Sequence, residues 1–100
     1  MIFASCPTGW IPPPRALWNR QLAAFVRAVN AAARTAGPLT VTSWYRDRAR
    51  NAACGGASSS RHLEGLAVDV RAARPSAAAF AFRAAGLRVL NEGSHLHVSV

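Results

Sequence analysis

Lysine is absent from this chain and acidic residues are scarce: Asp47, Glu64, Asp69 and Glu92 are the full set. The net charge of +8 therefore comes from twelve arginines. Such a surface suits nucleic acid, anionic lipid or an anionic cell wall, and an arginine-biased, alanine-rich genome would leave the same excess. Cysteine is also rare. Cys6 and Cys54 lie far apart with no CxxC pair, which argues against a thiolate metal site. One disulfide between the N-terminal arm and a loop and two free thiols are both compatible with that spacing. No apolar run approaches the roughly 20 residues that span a bilayer. Met1 to Pro7 has neither a basic n-region nor a sustained apolar stretch, so no secretory signal is expected. Repeats and linkers are lacking too.

What remains is enough for one compact unit. The 100 residues are 51% hydrophobic and include three Trp and four Phe, which excludes a disordered tail and leaves too little chain for a second core. A single domain over 1–100 is expected, with an irregular arm at 1–14, a scaffold helix at 15–36 and the remaining core at 39–100. Pro12-Pro13-Pro14 ends the arm, and proline suits a first helical turn. Trp18, Leu22, Phe25, Val29 and Ala32 or Ala33 then recur at helical spacing, with Arg20, Arg27 and Arg34 largely off that stripe. Gly37-Pro38 stops the helix.

Leu39 to Tyr45 reads as a strand, Asp47 to Ala53 as a short helix, and Cys54 to Ser60 as a small-residue loop. A second strand, Leu66 to Arg71, sets Leu66, Val68 and Val70 on one face and Ala67, Asp69 and Arg71 on the other. Pro75 to Ala85 forms another helix, closed by Gly86. Leu87 to Leu90 and His95 to Val100 complete the strands, joined by Asn91-Glu92-Gly93-Ser94. The order predicts an α+β fold, a small antiparallel sheet with helices packed on it.

In the last strand, His95, His97 and Ser99 share one face while Leu96, Val98 and Val100 share the other. Two imidazoles at period two are joined by Asp69, on the polar face of its own strand, and by His62 seven residues before it. One of these alone would be a surface or satisfied core residue. Together, two His and one carboxylate are a suitable ligand set for catalytic zinc, leaving a position for water.

Ser60-Arg61-His62-Leu63-Glu64-Gly65-Leu66-Ala67-Val68-Asp69 fits the pattern S-x-H-x-x-G-x-A-x-D throughout. It resembles the zinc D-alanyl-D-alanine peptidases (M15-like), a group of carboxypeptidases, vancomycin-resistance dipeptidases and phage L-alanyl-D-glutamate endopeptidases with a hedgehog/DD-peptidase fold. Ser43-Trp44-Tyr45-Arg46 is similar to that family's S-x-Y-R segment, and His95-Leu96-His97 to the closing H-x-H of some branches. The likeness covers roughly Thr40 to Val100.

The resemblance implies one zinc per chain on His62, Asp69 and His97, with water in the fourth position at a lowered pKa. It implies that Arg46 binds the scissile carbonyl or stabilises the oxyanion, and that Ser60 and Tyr45 contact substrate. Gly65 and Ala67 would keep the backbone close beside the metal. Family branches differ in the general base: some place Glu or Asp three residues before the last ligand, others His at five and two before it. Here those positions hold Ser94, Glu92 and His95. Glu92 is assigned as base and His95 as the residue orienting water or stabilising the transition state. Glu92-Gly93-Ser94-His95 also mimics an E-x-x-H register in which His95 is the ligand, but His97 is preferred because the residues after it continue the strand, as in the H-x-H branches.

Hydrolysis of amide bonds in peptidoglycan stem peptides is therefore expected, by a monomer acting at the bacterial wall or periplasm, as a phage lysin would. Carboxypeptidase, dipeptidase and endopeptidase action are not separable from these residues. The alternatives are an inactive zinc-containing binding module of the hedgehog type, against which Arg46 and Glu92 speak, and a basic nucleic-acid-binding protein, for which no motif is found.

Overall fold

The computed structural model describes residues 2–3, 10–53, 55–57 and 59–100. Cys6 and Cys54, and with them the disulfide alternative, lie outside the described residues. The elements in chain order are β1 (Ile2–Phe3), a 3-10 turn (Arg15–Leu17), α1 (Arg20–Ala33), β2 (Leu39–Ser43), α2 (Arg48–Ala53) and a second 3-10 turn (Arg61–Glu64). They continue with β3 (Ala67–Ala72), α3 (Pro75–Ala84), β4 (Arg88–Asn91) and β5 (Leu96–Ser99). The class is α+β, as the sequence predicts. Strands run in the order β1-β2-β3-β5-β4, all antiparallel except β1, which pairs parallel with β2. That short parallel edge falls in the segment expected to be an irregular arm.

The first helix also differs from expectation. It starts at Asn19, whose Oδ1 accepts from the Leu22 N–H at 2.9 Å and so satisfies one donor of the first turn. Trp18 stays outside it in extended geometry, and its indole N–H donates to the Pro13 carbonyl at 3.0 Å. The continuous helix expected from Arg15 is thus a 3-10 turn, a break and an α-helix. From Leu22 onward the apolar stripe is as spaced: Leu22, Phe25, Val29 and Ala32 are buried. α3 opens with Pro75 at its first turn and buries Ala78, Ala79, Ala81 and Phe82.

Both long helices join one core with the apolar face of the sheet, which presents Val41, Val68, Val70, Val89, Leu96 and Val98. Cross-strand partners share a face, and the register pairs Val41 with Val70, Val70 with Leu96, and Val98 with Val68 and Val89. The opposite face carries a polar row. Ser43 pairs with Asp69, Asp69 with His97, and His97 with Leu90. Ser43 reaches that row through a register shift between Val41 and Ser43. Strict alternation from Val41 would have left Ser43 on the apolar face, and the extra residue of the bulge re-aims it.

Candidate metal centre

His62 is placed by the 3-10 turn Arg61–Glu64. Ser60 caps this turn, its Oγ accepting from the His62 N–H at 3.2 Å. Gly65 ends it at φ 74°, and a Cβ there would collide with Pro13. Both the left-handed backbone and the contact demand glycine. Asp69 and His97 come from the middle of the sheet as direct cross-strand partners on β3 and β5.

These three side chains converge. One ligand atom from each of His62, Asp69 and His97 lies within 4.8 Å of the others. Asp69 Oδ1 is 3.1 Å from His62 Nε2 and 3.0 Å from His97 Nδ1. Ligands of a tetrahedral zinc with bonds of about 2.0–2.1 Å stand roughly 3.3 Å apart, so the spacing suits that ion. The protonation pattern suits it too. His62 Nδ1 lies 2.6 Å from the Trp44 carbonyl, which can only accept, so the proton sits on Nδ1. Nε2 is then the atom left to Asp69 Oδ1, either as an N–H donor or, with a cation between the two, as a ligand. This second-sphere carbonyl is the usual way a ligating imidazole is oriented.

Trp44 is itself well anchored. Its indole N–H donates to the Gly65 carbonyl at 2.8 Å, and its ring packs on Trp10 and Trp18 with centroids 5.9 and 6.3 Å away. The tryptophans therefore hold the support of His62.

Arg46 is buried behind Asp69. Its Nη2–H donates to Asp69 Oδ2 at 2.7 Å, Nε–H to Ser43 Oγ at 2.8 Å, and Nη1–H to Asn51 Oδ1 at 3.3 Å. Three of its five N–H groups are thus engaged, one on the carboxylate and two holding the guanidinium in place, leaving Oδ1 to the histidines. Burial, the strongest influence on Asp69, favours the neutral acid. Hydrogen bonds from His62 and His97, then the charges of His62 and Arg46, outweigh it and hold the carboxyl well below the ordinary carboxylate range. A depressed native value contributes stability that is complete above the unfolded value near 3.8 and lost as pH falls through the lower native one. Metal-free protein should therefore lose unfolding free energy below about pH 4, and Asp69→Asn should remove that component. Urea titrations of both proteins between pH 5 and 2 measure it.

Asn51 is the residue that sequence reading missed. Buried in α2, it accepts from Arg46, donates through Nδ2 to the Ala57 carbonyl at 2.7 Å, and accepts at its own carbonyl from Gly56 N–H at 2.8 Å. A Cβ on Gly56 would collide with the Asn51 amide, which explains one glycine of the small-residue loop. The only signal in the sequence is an asparagine amid arginine and alanine in a short helix, and the loop it grips lies several residues on. Asn51→Ala strands a guanidinium N–H and a carbonyl, and should cost about 1–3 kcal/mol in chemical denaturation.

The other residues singled out by sequence surround this cluster. A cleft of about 470 Å³ is lined by Arg46, residues 55–57 and 59–61, the three converging residues, Leu90, Glu92 and His95. His95 is half-buried beside the cluster, its Nε2 3.8 Å from Asp69 Oδ1, and Ser94 Oγ lies 3.0 Å from its Nδ1. Glu92 is exposed in the β4–β5 turn, tied by its N–H to the His95 carbonyl at 2.9 Å. Ser60 lines the cleft while serving as cap to the His62 turn. Tyr45 lies in a neighbouring depression that shares Arg46, Ser59 and Ser60 with the cleft.

No helix among the described residues is long and apolar enough to cross a membrane. A search of curated proteins returned no match, and neither did a search of solved structures. The family model described as Peptidase M15 matches residues 5–99, nearly the whole chain, and the motifs around His62, Asp69 and His97 fall inside that match. The chain belongs to the peptidase M15 family.

Proposed function

We propose that this protein is a zinc peptidase that hydrolyses amide bonds in peptidoglycan stem peptides, acting as a monomer at the bacterial cell wall, as a phage lysis enzyme would. The observation that carries the proposal is the convergence of His62, Asp69 and His97 at the floor of an open cleft. Membership of a peptidase family supports the reaction class. Bound to these three residues, zinc would supply Lewis-acid polarisation of the amide carbonyl and acidification of a water.

The remaining chemistry belongs to the chain. Glu92, on the rim, takes the proton of the attacking water and delivers it to the leaving amine. His95 sits beside the cluster, where a donated N–H would stabilise charge developing on the carbonyl oxygen. Arg46 keeps the Asp69 carboxylate turned towards the histidines, and its remaining N–H groups line the cleft for a substrate carbonyl. Ser60, which lines both the cleft and the neighbouring depression, and Tyr45, in that depression, contact the peptide. Leu90, 62% exposed and next to His97 in the cross-strand row, offers an apolar surface to alanine methyl groups.

Incubating zinc-loaded protein with purified peptidoglycan, followed by mass spectrometry of the released ends, tests this. Free D-alanine would mark carboxypeptidase action, and new N-terminal D-glutamate an endopeptidase. Intact stem peptides after prolonged incubation would overturn the proposal.

A further inference from the structure

We infer that the outer face of α1 is a second binding site, for a flexible chain of phosphodiesters such as a wall polyol-phosphate, on the side of the molecule away from the metal centre. Arg20, Arg27 and Arg34 are all exposed. Seven residues fall about 20° short of two full helical turns, so the three side chains leave the helix in one nearly straight row at intervals of about 10 Å. At 100° per residue this row lies roughly opposite the buried stripe of Leu22, Phe25, Val29 and Ala32. The stripe packs on the apolar face of the sheet, whereas Asp69 and His97 stand on the other face.

No ion pair neutralises the row among the described residues. The first 46 residues contain no acid. Among the described residues, the arginine ion pairs are those of Arg46 with Asp69 and Arg61 with Glu64. The row stands over exposed Ala24 and Ala31, small side chains that let a linear anion approach several guanidinium groups together. α1 itself exposes no aromatic side chain to stack against a base, and exposed Trp18 before its start is held edge-on to Trp44 with its N–H on the Pro13 carbonyl. This favours a phosphate chain without bases over single-stranded nucleic acid. Assigning the polymer to the wall rests on the proposed peptidase function, but the binding itself does not. A chain held on α1 would keep the protein at its substrate while the cleft on the opposite face stays open.

The test is equilibrium binding of polyglycerol phosphate to the full chain across a salt series, which needs no turnover. It compares wild type, R20Q/R27Q/R34Q, and a control that removes the same charge elsewhere, R71Q/R74Q/R88Q. Glutamine keeps helix propensity, and circular dichroism verifies the fold. On nucleic acid each phosphate contact contributes about 0.7–0.9 to the slope of log affinity against log salt, and a sparser polyphosphodiester releases fewer counterions, so the α1 variant should flatten that slope by roughly one and a half to two. The control should change it by less than about one, and the single variant Arg27→Gln should remove roughly a third of the α1 effect. Hydrolysis of a short soluble peptide should be the same in wild type and the α1 variant.

Equal flattening by both triple variants, or none by the α1 variant, would overturn the site. Duplex DNA of equal charge displacing polyglycerol phosphate from the same arginines, and binding more tightly, would overturn the polymer assignment in favour of nucleic acid. Arginine-dependent binding by a protein that cleaves no peptidoglycan would uphold this site while removing the peptidase proposal.

Discussion

Asp69→Asn is expected to empty the metal site, abolish hydrolysis and destabilise the fold, all in one substitution. The asparagine keeps the shape of the side chain but removes the anion that faces two imidazoles and a guanidinium. A neutral amide oxygen is a much weaker zinc ligand than a carboxylate. Arg46 would then be a buried charge without a counter-ion, since the Arg46 and Asp69 side chains are only 10% and 8% exposed. Breaking a buried pair by removing one partner costs about 3–5 kcal/mol, a large part of the 5–15 kcal/mol that holds a domain of this size together. Zinc content after dialysis, together with a denaturant titration of the metal-free protein, reads both effects. Asp69→Asn protein that retains zinc and full activity would remove Asp69 from the ligand set.

A comparably large effect is expected from the two histidines of the last strand, and here the outcomes diverge. His97→Ala should lose metal and activity together, because His97 Nδ1 belongs to the convergent set. His95→Ala should keep metal and turn over more slowly, because its Nε2 stands 3.8 Å from Asp69 Oδ1 and outside that set. Glu92→Gln should also keep metal while activity falls on the order of 10²–10⁴-fold, the usual consequence of losing a general base. If instead His95→Ala empties the site and His97→Ala does not, the E-x-x-H register is the working one. Full activity in Glu92→Gln would move the base elsewhere.

Much of the scaffold was legible because it depends on local periodicity. The 3.6-residue recurrence of Leu22, Phe25, Val29 and Ala32 and the alternation of Leu96 and Val98 with His97 both follow from which face is buried. The bulge at Val41–Ser43 was not legible, since a Leu-Thr-Val-Thr-Ser run alternates smoothly and only its pairing with β3 shows the extra residue. Trp18 fits the helical stripe by spacing. Its exclusion depends on Asn19 capping the helix and on an indole bond to Pro13, two local contacts that compete with the period. Near the cluster, the motif residues His62, Asp69 and His97 could be singled out by type and order. Asn51 could not, because its role arises only when α2 brings it between Arg46 and the loop carbonyl of Ala57. Arg46 itself was expected to face substrate, and its position against Asp69 depends on a cross-strand pairing with Ser43 that follows the bulge.

The central claim is that His62, Asp69 and His97 hold a metal, and metal analysis of the purified, folded chain tests it most directly. Elemental analysis after reconstitution with zinc at neutral pH and removal of the excess should give about one zinc per chain, and none for Asp69→Asn or His97→Ala. A folded wild-type protein that retains no zinc under those conditions would contradict the account.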